Sequence, residues 1–407
     1  MGAQFVTPFI RKLVVRNFKS IATCDVELSP LTVLVGRNGS GKSNFLDAIH
    51  FVADGLQTSL DHAIKARGGI DAVRRRSTGH PRNFAIRVDF TLPNYQLGTY
   101  AFEIAARPNG GFAVKDERLE ITTANGRSAA KYHREESRVS SASEDVMPPV
   151  LEDRLYLVNA AGLPQFRGAY DALLSTGFYN LNPETMKEVQ SPDAGDLLHG
   201  DGSNIASVVA RLTMQQPETL ERITSYLRTI VPSIQTVERT SLGPRETLTF
   251  CQNVEGAQHP WRFYAASMSD GTLRALGALV AVAQLASDAS SIRFAGIEEP
   301  ETALHPAAAG ALMDALREAS TRTQVVVTSH SPDLLDQIHV ERDTLLVVTF
   351  KNGNSRITQA DPASRDAIRR HLYTPGDLLR MDQLQPDESD YERQTRLPFI
   401  DASPSIA

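Results

Sequence analysis

Cysteine is nearly absent from this 407-residue chain: Cys24 and Cys251 are the only two, and neither belongs to a C-x-x-C pair. That argues against a disulfide framework and a cysteine zinc site, and makes a reducing compartment the default. No stretch reaches the roughly 20 uninterrupted apolar residues that a transmembrane helix needs. The opening MGAQFVTPFIRKLVV has no long apolar core ending in a small-residue cleavage site, so no secretory leader is expected there. Together these absences predict a cytoplasmic protein with no membrane partner. An excess of positive charge is also missing. The net charge of −6 argues against a surface that coats nucleic acid by bulk electrostatics, while leaving a local basic patch open. No internal repeat is visible. What is present, 41% hydrophobic and 22% charged residues, supports a sizeable core in one large domain with an insertion, or in two domains.

The chain is organised around residues 31–52, LTVLVGRNGSGKSNFLDAIHFV. LTVLV is an apolar run of strand formers, too short for a helix. Gly36, Arg37, Asn38, Gly39, Ser40, Gly41, Lys42 and Ser43 then fit G-x-x-x-x-G-K-[ST] at every fixed position. Phe45, Ala48, Ile49 and Val52 follow at helical spacing, so a helix opens at the loop. An ordinary glycine-rich turn would not bring this strand and this helix with it. The chemistry follows from the geometry: backbone N–H groups turn inward around phosphates, and the helix N-terminus adds its positive dipole end. Lys42 would reach the β- and γ-phosphates of ATP, and the Ser43 hydroxyl would hold Mg²⁺.

Around this core the coarse pattern is α/β. Residues 10–18 and 24–28 read as two strands ahead of the loop. Residues 84–90, 100–105 and 112–121 read as an antiparallel sheet inserted beside the core, with Pro108-Asn109-Gly110-Gly111 as a hairpin turn. Residues 122–149, polar and serine-rich, read as an exposed loop. Helical signals dominate 163–230, strands return at 234–250 and 261–265, and a terminal hairpin is expected at 345–350 and 356–359. The expected organisation is an N-terminal lobe over 1–160 and a helical lobe over 161–235. A C-terminal lobe over 236–384 and a flexible tail over 385–407 complete it.

Three further segments narrow the reading. In IRFAGIEEPE (292–301), a strand ends in two acids, placing Glu298 near Mg²⁺ and Glu299 where it can orient or deprotonate a water. Two glutamates at a strand end are usually a solvated terminus; downstream of a phosphate loop they suit a catalytic pair. In VVVTSHS (325–331), His330 follows a core strand, where nucleotide folds collect ligands, and could sense the γ-phosphate. A lone histidine there would more often be structural. Ser269, Asp270, Gly271 and Thr272 precede a strongly apolar helix and make a second anion-binding helix start, although an ordinary N-cap uses the same letters. One chain needs no second cradle for one nucleotide, whereas a dimer sandwiching ATP does.

With these residues the chain resembles the RecF-like and SMC-like branch of ABC-type ATPases. It is most similar to the short prokaryotic ATPases related to the ATPase part of overcoming-lysogenisation-defect proteins. The resemblance runs through NFKSI, GRNGSGKSN, SDGTLRAL, GIEEPETALHP, VVVTSHSPDLL and YTPGDLLRM. It implies a P-loop fold of ABC type, with a mixed or parallel core sheet flanked by helices, an inserted antiparallel sheet and a helical lobe. It implies that Glu298 is the metal-side acid, Glu299 the catalytic one and His330 the switch histidine. It makes residues 269–272 the signature loop facing the other subunit's nucleotide, and residues 303–305 the dimer-contact loop. Lys19 takes the place of a residue facing the nucleotide, with Asn44 beside the loop. A homodimer switching a companion effector or DNA, in repair or in defence against phage, is the implied activity. The sequence departs from the wider family in carrying glutamate rather than aspartate on the metal side, and SDGT rather than LSGGQ. No heptad run marks a coiled-coil arm. Alternatives are a transporter motor subunit, against which SDGT, EEPE and NFKS speak, and an ATPase-nuclease. The stretch after His330 is too short for the latter's Toprim domain and holds no D-x-D cluster.

One stretch stays outside that assignment. Arg67, Arg74, Arg75, Arg76 and Arg82 gather with only Asp71 to offset them. Charge runs are usually solvated loops. The sharper reading is a sequence-independent contact to a nucleic-acid backbone.

Overall fold

The computed structural model describes residues 7–77, 81–107, 110–287, 290–302 and 306–399. The chain divides into two compact units, one formed by residues 1–176, 343–369 and 384–407, the other by 177–342 and 370–383.

The first unit opens with β1 (Ile10–Phe18), β2 (Ile21–Glu27) and β3 (Leu31–Val35), and helix α1 (Lys42–Gln57) follows the loop. β4 (Asn83–Thr91), β5 (Leu97–Ala106), β6 (Phe112–Thr122), β7 (Ser128–Glu135) and β8 (Arg138–Ala142) come next. Seven of these strands form one sheet in the order β2-β1-β4-β5-β6-β7-β8, antiparallel at every pairing. Residues 128–142, expected as loop, are therefore two strands. Their serines hide an alternation in which Ala130 and Tyr132 are buried, at 2% exposure each.

α1 is fixed in this unit by aromatic packing. Phe51 on α1 meets Phe18 of β1, Phe84 of β4 and Phe102 of β5 at ring-centroid distances of 5.7, 5.4 and 6.2 Å. Such tilted and edge-on pairs each add about 0.5–1.5 kcal/mol beyond area burial. The phosphate loop's helix is thus anchored through its third turn.

The second unit carries β9 (Thr176–Tyr179), β10 (Ile234–Leu242), β11 (Arg245–Gln252), β12 (Trp261–Tyr264), β13 (Phe294–Glu298) and β14 (Gln324–Ser329). β10, β11 and β12 form an antiparallel sheet, while β13 and β14 pair in parallel with Glu298 opposite Thr328. Helices Ile205–Gln215 and Pro217–Ile230 fall in the stretch where helical signals dominate, and Asp270–Leu285 is an apolar helix with most of its residues buried.

The chain returns to the first unit with β15 (Thr344–Lys351) and β16 (Asn354–Gln359), an antiparallel hairpin whose β15 lies parallel to β3. β3 is buried along its whole length, as a strand covered on both faces must be. Residues 385–399, expected as the start of a flexible tail, hold the helix Glu388–Arg396. Gln394 is 1% exposed there and donates to the Ile357 carbonyl, while Arg16 donates to the carbonyls of Gln394 and Leu397. A polar helix can dock when its buried face is satisfied by hydrogen bonds.

Candidate functional site

In the first unit, residues 36–41 link the end of β3 to the start of α1. Gly36 leaves no room for a side chain, because a Cβ there would run into the Val348 carbonyl oxygen of β15. Gly41 is doubly constrained: its φ is +108°, and a Cβ would meet the Ser355 side chain. α1 begins without a side-chain cap and without an acid in its first turn, so the helix itself places no negative charge at its positive dipole end. The Ser40 hydroxyl oxygen is buried without a hydrogen-bond partner. Lys42, 5% exposed, folds over the loop and donates to the carbonyls of Gly36 at 2.8 Å and Arg37 at 3.3 Å. An orphaned hydroxyl, an uncapped helix start and an ammonium held at the loop fit a chain of phosphates.

The other loop residues sit differently. Arg37, Asn38, Gly39 and Ser43 are exposed. The Asn44 amide is turned sideways and donates to the Ser20 hydroxyl at 2.7 Å. Lys19, at φ +48°, forms a 2.6 Å ion pair with Asp47 of α1.

In the second unit, β13 ends at Glu298. The chain then turns through Glu299, whose φ of +42° is uncommon for a residue with a side chain. Its N–H is tied to the Thr328 carbonyl at 3.0 Å. This turn brings the Glu299 carboxylate 3.4 Å from Nδ1 of His330, with both side chains partly exposed at 29% and 40%. Two residues singled out separately in the sequence are thus neighbours. Glu301 lies beneath them: its Oε1 accepts from the Ser329 hydroxyl at 2.6 Å and from the His330 N–H at 3.2 Å. Burial pushes the Glu301 carboxyl above the usual range, against the pull of those two donors. Ser43 and Glu298 offer hard oxygen donors of the kind Mg²⁺ accepts alongside phosphate oxygens and water.

At the start of the apolar helix, the Ser269 side chain caps its own helix, accepting from the Thr272 N–H at 3.2 Å. Asp270 pairs with Lys187 at 2.6 Å, and Gly271 and Thr272 are buried in the first turn. Residues 303–305, expected as the dimer-contact loop, lie outside the described residues.

Comparison with known proteins shows the family and the fold. The family described as "AAA domain, putative AbiEii toxin, Type IV TA system" matches residues 31–336, more than half of the chain. The chain belongs to this family. Within it, the resemblance to the RecF-like and SMC-like branch of ABC-type ATPases holds. The DNA replication and repair protein RecF of Streptococcus uberis is 50% identical over 46 residues, covering 11% of this chain and 13% of that protein. RecF of Gloeobacter violaceus is 43% identical over 63 residues, 15% of this chain and 17% of that protein. The chromosome partition protein Smc of Halothermothrix orenii is 53% identical over 47 residues, 11% of this chain and 4% of that one. The chain therefore matches only a small share of each relative's length. Over the whole fold, an Smc head bound to the C-winged helix domain of ScpA superposes with a TM-score of 0.55 at 18% identity. That match covers 89% of this chain and 100% of the head. A Pyrococcus furiosus Smc head bound to the C-terminal domain of ScpA gives 0.54 at 14% identity, covering 90% and 100%. These two show the ABC-type ATPase fold, and among the described residues no helix is long and apolar enough to cross a membrane.

Several site-neighbouring residues escape sequence reasoning. Ser20 and Ser355, 335 positions apart, bond each other, and Ser355 also holds the Ser40 carbonyl of the phosphate loop. Glu301 looks like a third member of an exposed acidic run, yet it is 7% exposed. Arg380 of the YTPGDLLRM motif bridges Asp333 at 2.6 Å and Asp336 at 2.9 Å, tying that motif to the segment after His330.

The arginine run divides. Arg67 is spent inside the unit: its side chain, 7% exposed, pairs with Asp47 and Asp54 at 2.8 Å each and lies 5.2 Å from the Phe51 ring. Arg74 pairs with Asp71 at 2.7 Å. Arg76 and Arg82 are exposed.

Proposed function

We propose that this ATPase binds ATP with Mg²⁺ on its phosphate loop, closes into a homodimer around the nucleotide, and separates after hydrolysis to switch a partner. The observation that carries the reading is the loop itself, with its uncapped helix start, buried unpartnered Ser40 hydroxyl and Lys42 at the loop carbonyls. Lys42 would leave those carbonyls for the β- and γ-phosphates. The Ser43 hydroxyl and the Glu298 carboxylate would hold Mg²⁺, which neutralises charge on the phosphate oxygens when bound. Glu299 would take a proton from water, with His330 beside it to hold the carboxylate's orientation and register the γ-phosphate. Lys19 would face the nucleotide by exchanging Asp47 for phosphate.

For the dimer, the start of helix Asp270–Leu285 supplies the second cradle. An acid in its first turn would repel a phosphate, but Lys187 neutralises Asp270. The relatives named for DNA replication and repair make DNA the first partner to test, with a companion effector in repair or phage defence as the other.

Three variants test the scheme. Lys42→Ala should lose ATP binding in calorimetry. Glu299→Gln should bind ATP, slow hydrolysis at least a hundredfold, since general-base contributions run to about 10²–10⁴, and accumulate a dimer by light scattering. Ser269→Arg should bind ATP and stay monomeric. Hydrolysis that survives in Glu299→Gln removes its role as base, and ATP-dependent dimers of Ser269→Arg remove the sandwich. The trapped Glu299→Gln dimer should also hold duplex DNA more tightly than the nucleotide-free protein.

A further inference from the structure

Ser355 lies on β16, fully buried, in a hairpin that carries none of the family motifs. Its hydroxyl donates to the Ser40 carbonyl at 2.6 Å and lies 2.6 Å from the Ser20 hydroxyl, which lies 2.7 Å from Nδ2 of Asn44. The direction of this chain is forced. A carbonyl only accepts, so the single Ser355 proton is committed to Ser40. The Ser20 proton must then serve the contact with Ser355, and Ser20 can accept only from the Asn44 amide. The result runs one way: Asn44 to Ser20 to Ser355 to the Ser40 carbonyl. It starts on α1 and ends on the phosphate loop. The Ser355 N–H donates to the Ser20 carbonyl at 2.9 Å, which locks the strand to the turn.

The planar trans peptide gives that last bond a consequence. C=O of residue 40 and N–H of residue 41 point in opposite directions across one rigid unit. Holding the Ser40 carbonyl toward β16 therefore aims the Gly41 N–H away from β16, to the loop's other side. Gly41 accepts this closeness because it has no Cβ to meet Ser355.

We propose that Ser355, through the chain from Asn44 and Ser20, is a positioning residue that orients the Gly41 N–H as a phosphate donor. The inference rests on ATP binding at the phosphate loop. A preset donor costs no reorganisation when the nucleotide arrives, so losing the restraint weakens binding of the phosphates rather than the fold alone.

Calorimetric titration of the full chain with ATP and Mg²⁺ tests it. Ser355→Ala should raise Kd about tenfold, equivalent to about 1.4 kcal/mol, and Ser20→Ala about threefold. Ser20→Thr, which keeps the hydroxyl, should stay within about twofold of wild type. Thr358→Val is the control for strand damage. Thr358 is fully buried on the same strand, bonds the Gln359 carbonyl and the Asp387 N–H, and makes no hydrogen bond to the loop. It should lower the melting temperature as Ser355→Ala does while leaving Kd within about twofold. The inference is overturned if Ser355→Ala and Ser20→Ala both bind like wild type, or if Thr358→Val weakens binding as much as Ser355→Ala. Should Ser355→Ala fail to fold, the Ser20 pair decides alone. Unchanged ATP affinity in Lys42→Ala would instead remove the phosphate-loop reading beneath it.

Discussion

Arg67 offers the sharpest separation of a structural arginine from a binding one. Its guanidinium donates through Nε to both Asp47 oxygens, at 2.8 and 3.1 Å, and through Nη1 to the Ala63 carbonyl at 2.9 Å, besides its pairing with Asp54. Arg67→Leu keeps bulk beside Phe51 and removes every donor. Breaking a buried ion pair from one side costs about 3–5 kcal/mol, mostly from the charge left behind. Here the abandoned carboxylates are 19% and 26% exposed, and Lys19 still serves Asp47 while His50 serves Asp54. The loss should fall at the low end or below, about 2–3 kcal/mol, discounted for that solvent access. Arg67→Lys keeps the charge without the fork and should land between. The acid limb carries an independent signature. Burial pushes the Asp54 carboxyl up, but hydrogen bonds and charge from His50 and Arg67 outweigh it and hold it below its usual range. A depressed carboxyl stabilises the fold above its unfolded pKa, and that stability drains away as pH falls through the folded value. Arg67→Leu should therefore flatten the loss of stability on the acid side. Urea unfolding at several pH values measures both effects. A destabilisation under about 0.5 kcal/mol, the range of ordinary surface substitutions, would refute the structural role and return Arg67 to the surface patch.

Two more outcomes follow from burial. Glu301→Gln keeps an acceptor for Ser329 and the His330 N–H but cannot ionise. Because burial raises the folded pKa of Glu301, its contribution is fully present below the unfolded pKa and lost as pH rises through the folded one. The variant should thus melt higher than wild type near pH 8, the gap closing below about pH 4.3; a variant no more stable at pH 8 contradicts it. Cys24 is fully buried and its thiol pushed far up by that burial, whereas Cys251 is partly exposed. A chromogenic disulfide reagent should label no more than one thiol in the native protein and two in urea; native labelling of Cys24 contradicts its placement.

How much of this was legible in the sequence depends on whether a residue's partners are local. The phosphate loop could be read because its strand, glycines and helix are contiguous and each carries its own pattern. The acidic pair and His330 were legible singly, and the parallel pairing of β13 with β14 is what makes them neighbours. Where the signal is composition, reading failed. Serines concealed β7 and β8, and the helix Glu388–Arg396 buries a glutamine and a tyrosine rather than an aliphatic stripe, so no apolar period announced it. The helix start at Ser269 was ambiguous because an N-cap and an anion cradle use the same letters. The arginine run was legible only in part for a related reason: charge density along a sequence does not say that Arg67 has turned inward to meet α1.

That run still bears on the nucleotide loop, through its backbone rather than its charge. The last residues of β1 and the turn into β2 hold two residues with side chains in the left-handed region, Asn17 at φ +52° and Lys19 at φ +48°. Such conformations cost about 1–2 kcal/mol each and persist only where surroundings over-determine them. Here the Lys19 N–H donates to the Val73 carbonyl at 2.7 Å, the Arg75 N–H donates to the Asn17 carbonyl at 2.7 Å, and Phe18 bridges Arg74. Ser355 closes the far side through the Ser20 carbonyl. Residues 73–75 and β16 thus clamp one strained turn from two directions, and its two side chains, Lys19 and Ser20, lead to Asp47 and Asn44 of α1. Strain held this tightly next to a phosphate loop sets side-chain direction. The clamp keeps Lys19 and the Ser20 hydroxyl in place against α1, so the loop's geometry is held from outside the motif that names it.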